Sequence, residues 1–139
     1  MDASGLAAWA AAVTSAATLV VTTWVGGRRE RHRWLREALT EAFVAFLGSS
    51  WRHSDVARGE ESDAQHAALA AEYEEMRQQL TRLRLLAGTE VVKAGEALVR
   101  SHRAVQEAGS GPVREQALVR ASQGRRAVLA AAQKLMGLW

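Results

Sequence analysis

The sequence predicts an all-α protein in which an N-terminal transmembrane helix precedes an antiparallel three- or four-helix bundle. Three observations carry this. The 139 residues include one proline and are rich in Ala, Leu, Arg and Glu, the residues that lose least on entering a helix. Apolar side chains recur at three- and four-residue intervals, and no segment alternates with a period of two. No charged residue stands between Asp2 and Arg28. The chain has no cysteine, which excludes a disulfide scaffold, a thiolate metal site and a cysteine nucleophile.

Residues 1–27 form the expected anchor. The apolar body runs from Leu6 to Val25, near the roughly 20 residues that cross a hydrocarbon core of about 30 Å. Trp9 and Trp24 stand about 22 Å apart on a helix and read as interface anchors at its two ends. Ala8, Ala11, Ser15, Thr18 and Thr22 share one face, the small and hydroxylated surface that lets spans associate closely. The alternative is an Ala-rich anchor whose hydroxyls bond back to their own helix.

Directly after Gly26-Gly27 comes a basic block with Arg28, Arg29, Arg31, Arg33 and Arg36. Positive charge stays on the cytoplasmic side, so the expected arrangement is a single pass through the inner (plasma) membrane, N-out and C-in. The same five arginines are placed to contact lipid headgroups. A secretory signal peptide would carry its positive charges before the apolar run, not after it.

Residues 28–139 read as the cytoplasmic bundle. A first helix over 28–48 carries Leu35, Leu39, Ala42, Phe43, Phe46 and Leu47 as one stripe, and Gly26-Gly27 is a candidate hinge before it. Residues 48–62 look like a polar connection. Ser62 and Gln65 match a capping box that opens a helix over 63–87, with Leu69, Tyr73, Met76, Leu80, Leu83 and Ala87 inward and Gly88 as its stop. Thr89 is a candidate cap for a helix over 90–108, with Val91, Gly95, Leu98, His102 and Val105 on its inner face. Pro112 suits the first turn of the last helix, 113–138, whose stripe is Leu118, Ala121, Val128, Ala132, Leu135 and Trp139. The second helix is close to heptad-like, but its repeat is too short for a long parallel coiled coil.

Charge alternates along the chain. Residues 28–54 carry +3, residues 55–75 carry −6 and residues 77–139 carry +7. Such blocks favour antiparallel pairing of successive helices. The basic balance raises nucleic acid as a partner, but the arginines have neither helix-turn-helix spacing nor an aromatic stacking platform, and that partner is not expected.

No catalytic constellation emerges, and the chain does not read as an enzyme. His32, His53, His66 and His102 are not at ligand spacing. Asp63 and His66 with Glu72 and Glu75 faintly suggest a di-iron half-site, which would need a second copy that the chain lacks. There is no Gly-x-Ser-x-Gly elbow and no phosphate-cradling glycine loop. No cofactor or metal is expected.

The apolar span, the run Arg28–Leu47, Tyr73, and Arg82-Leu83-Arg84-Leu85-Leu86-Ala87 leading to Val91-Val92 resemble a group of uncharacterised actinobacterial small single-pass membrane proteins with a cytoplasmic helical region. The resemblance implies the same layout and no activity. The functional expectation is a membrane-anchored interaction or scaffold protein on the cytoplasmic face. Its partners would be the lipid membrane, further copies of itself and an unidentified protein. The alternatives are an oligomeric pore-forming or membrane-perturbing effector and a soluble helical bundle.

Overall fold

A computed structural model describes the backbone of residues 3–137 and the side chains of residues 26–137. Among the described residues there are four α-helices and no strand: α1 (Ala3–Ala57), α2 (Asp63–Leu86), α3 (Thr89–Glu107) and α4 (Pro112–Met136). The chain divides into two units, Met1–Arg36 and Glu37–Trp139.

In the first unit, Arg28, Arg29, Arg31, Arg33 and Arg36 are all exposed. So is Leu35, expected in the apolar stripe. Among the described residues no helix is long and apolar enough to cross a membrane. The span expected over residues 6–25, with Trp9, Trp24, Ala8, Ala11, Ser15, Thr18 and Thr22, lies outside the described side chains.

The second unit is an up-down-up-down bundle. Glu41 and Arg82 (3.2 Å) and Arg52 and Glu72 (3.1 Å) set α1 antiparallel to α2. Arg84 and Glu96 (3.2 Å) do the same for α2 and α3, and Glu90 and Lys134 (3.5 Å) for α3 and α4. The ion pairs follow the charge blocks, but exposed pairs add only about 0–1 kcal/mol each. Burial does most of the work, at about 1.5–3 kcal/mol for each large apolar side chain. One core cluster joins Leu39, Phe43 and Phe46 to Met76, Leu80, Leu83, Leu98 and Val128. A smaller one joins Ala57, Leu69, Val105, Ala117 and Leu118.

Several local expectations are corrected. α1 does not end at Gly48; it runs through Ser49 and Ser50 to Ala57, so most of the expected polar connection is helix. The inward positions simply change character, from Phe46 to Ser49, Ser50, His53 and Ser54, all fully buried. Nor do Gly26-Gly27 break the helix. Ser62 does accept from the Gln65 amide at 3.0 Å, but the Gln65 side chain does not reach back to it. Its Nε2 donates instead to the Val56 and Gly59 carbonyls, at 3.0 and 2.8 Å, and ties off the preceding loop.

Gly88, at φ −80°, is the N-cap of α3 rather than a left-handed stop, and Thr89 is already helical. In α4, Leu135 is 45% exposed, and Trp139 lies outside the described residues. The buried stripe instead includes Arg125 between Ala121 and Val128.

Candidate functional site

The two apolar clusters are separated by a polar layer. α1 contributes Ser50, His53 and Ser54, α3 contributes His102, and α4 contributes Arg125; the first four are fully buried and Arg125 is 5% exposed. Helical periodicity places them there. Ser50 and His53 follow Phe46 by four and seven residues, His102 follows Leu98 by four, and Arg125 follows Ala121 by four.

The imidazoles meet through Nδ1 at 2.8 Å, with ring centroids 4.5 Å apart in an edge-on arrangement. His102 Nε2 lies 2.6 Å from Ser50 Oγ. Arg125 Nη1 donates to Ser50 Oγ at 3.2 Å and to Ser54 Oγ at 2.8 Å. Hydrogen-bond accounting constrains the directions. Since Arg125 can only donate, Ser50 accepts from it, and in the arrangement in which Ser50 gives its own proton to His102 Nε2 the chain of bonds runs on to His53. His102 then carries its hydrogen on Nδ1 and donates to His53 Nδ1, which leaves the His53 hydrogen on Nε2.

Gln106 lies beside His53 and favours its charged form. Even so, the Gln106 oxygen and His53 Nε2 are both buried without a well-formed hydrogen bond. The Tyr73 ring stands 6.5 Å from His53.

Charge accounts for the neutrality of this pair. Burial pushes His53 down to about 4, opposed by Gln106 and reinforced by the positive charge of Arg114. Burial also pushes His102 down to about 3, with His53 and Arg125 acting in the same direction. For Arg125, burial and then Arg58 lower the affinity for its proton, while Asp55 raises it. A shared Nδ1–Nδ1 bond requires one ring to accept, which an imidazolium cannot do.

Ser50 and His102 have the spacing of a nucleophile and its base. The hydroxyl, however, is wholly buried, lies within a helix and accepts from a cation. It therefore lacks both access and free backbone donors for a developing oxyanion.

Outside this layer, α2 and α3 border an open groove of about 550 Å³ lined by Tyr73, Arg77, Arg103, Gln106 and Glu107. A neighbouring depression of about 280 Å³ shares Arg77 and adds Arg84 and Arg100. The half-site considered around Asp63 and His66 is not assembled. His66 faces Glu61 at 3.5 Å, Glu72 holds Arg52 and Glu75 accepts from Gln79. Among the described residues, no group of three or more histidine or acidic side chains could hold a metal ion.

Of the residues singled out from the sequence, the five arginines of the basic block lie on the surface of the first unit. The structure adds His53, Ser50, Ser54 and Arg125, which hydropathy hid. Periodicity puts each of them on a buried face, since each continues an apolar stripe at helical spacing, but it does not show that they meet. Comparison of the chain with protein-family models, with curated proteins and with solved structures finds no match to any of them.

Proposed function

We propose that this protein is a membrane-anchored helical interaction module whose bundle works at the cytoplasmic face of the inner membrane. The observation that supports it best is the division of labour along α1. Its first 25 residues carry no charge, its five clustered arginines are all exposed, and core packing begins only at Leu39. A cluster of surface arginines directly after an uncharged stretch suits the cytoplasmic side of a membrane and the recognition of anionic headgroups. In this reading Trp9 and Trp24 sit at the two interfaces, and Ser15, Thr18 and Thr22 with Ala8 and Ala11 form the face on which copies associate. The role is binding and assembly, not catalysis, in keeping with a Ser50–His102 pair sealed inside the bundle.

Carbonate-washed membrane fractionation with cysteine labelling tests it in this cysteine-free chain. Ser4→Cys should label from outside and Ser110→Cys only after lysis, with both proteins in the pellet. Recovery in the soluble fraction would remove the anchor and leave the alternative of a soluble bundle. Replacing Arg28, Arg29, Arg31, Arg33 and Arg36 with glutamate should invert or mislocalise the protein, and unchanged topology and lipid affinity would count against their role.

A further inference from the structure

Two buried guanidinium groups lack a counter-charge. Arg114 is 4% exposed and Arg125 5%, and among the described residues neither has a carboxylate within ion-pair distance. In both, the buried atoms without a hydrogen-bond partner are Nε and Nη2. These nitrogens form the side edge of the guanidinium, where two N–H bonds run parallel and match two oxygens of one anion. Native proteins rarely leave such donors unanswered, and each orphaned group calls for an explanation.

Arg125 is the one whose edge is held in place. Its Nη1 is occupied by the Ser50 and Ser54 hydroxyls, and its central carbon lies 4.1 Å from the Trp51 ring centroid. Two anchors of different kinds fix the plane, so little rotamer freedom remains to be lost on binding. Neither anchor neutralises the charge. Asp55 is the nearby acid, but it is engaged by Arg58 at 3.4 Å. His53 and His102 contribute no negative charge in any protonation state. Trp51, 53% exposed, lines one face of the guanidinium from the surface side.

We propose that the Nε–Nη2 edge of Arg125, held in plane by the Trp51 ring and the serine hydroxyls, binds an oxyanion that presents two oxygens side by side, of the phosphate or carboxylate type. The site does not depend on the membrane reading. Its ligand could arrive as a free anion or as a lipid headgroup, and the experiment separates the two.

The test uses the full chain with ¹⁵N-labelled arginine, following the Arg125 Nε–H resonance and the melting temperature. Sodium phosphate and sodium acetate are titrated against sodium chloride at equal ionic strength and neutral pH. Vesicles of phosphatidylglycerol are compared with vesicles of phosphatidylcholine. A saturable displacement of the Arg125 Nε–H signal by phosphate or acetate, with a raised melting temperature, supports a free anion. Displacement by phosphatidylglycerol vesicles alone supports a headgroup.

Arg125→Lys keeps the charge and loses the edge, so binding should weaken at least ten-fold, while Arg126→Lys at the exposed neighbour should leave it unchanged. If Arg125→Lys does not fold, the parent spectrum decides. An Nε–H signal unmoved by all three probes overturns the proposal, as does equal affinity in a folded Arg125→Lys.

Discussion

Single side chains set how closely the helices approach. A Cβ built on Gly95 would lie 2.6 Å from Leu80 Cδ1 and 3.6 Å from the Phe46 ring, so α3 passes there at the distance only glycine permits. Gly95→Ala gains about 1 kcal/mol of helix propensity and must displace the buried Leu80 side chain, for which overpacking costs about 1–3 kcal/mol. The expected result is a net loss, read as a lower urea midpoint with an unchanged slope. On α4 a Cβ at Gly124 would meet Leu98 Cδ1 at 3.1 Å, a softer contact, and Gly124→Ala should be much nearer neutral in the same assay.

Each helix owes its limits to local chemistry, and the ends differ in how openly the sequence displays them. Ser62 is the capping residue of α2, and Ser62→Ala should cost about 1 kcal/mol in urea unfolding without altering helix content below the transition. That cap, Pro112 in the first turn of α4 and the inner faces of α2 and α3 were all legible, because caps and apolar periodicity are local signals. The end of α1 was not. Ser49, Ser50, His53 and Ser54 look like a loop by composition, yet their positions repeat the spacing of Ala42 and Phe46. Ser50, His53 Nδ1 and Ser54 find their partners on α3 and α4, elements more than 40 residues away, while Ser49 donates to the Phe46 carbonyl of its own helix. Arg125 was passed over for the same reason, since its hydroxyl partners and Trp51 stand about 70 residues earlier in the chain and no single helix reveals them. The membrane reading rests on residues 6–25, where sequence remains the guide.

For the molecule as a whole, the histidine pair makes stability depend on pH. His53 and His102 are held at about 4 and about 3, below the ordinary 6.5, so protons bind the unfolded chain more readily than the folded one. Their contribution is complete above about pH 6.5 and falls on acidification toward pH 4 and below, by up to about 1.4 kcal/mol per pH unit for each histidine. The urea midpoint should therefore drop between pH 6.5 and 4. A His53→Gln, His102→Gln variant, less stable at neutral pH, should lose that part of the slope; a parent midpoint flat across this range would show the rings to be solvated.

The same layer also fixes alignment. Ala42 and Phe46 repeat at one helical turn, so an apolar stripe alone would tolerate α1 sliding by four residues against its neighbours. Such a slip would set Phe46 against His102 and Arg125 and drive the serine hydroxyls against leucines, stranding donors and acceptors on both sides. The polar layer thus acts as the key in a lock. It gives up some burial energy and, in return, admits a single register for the bundle.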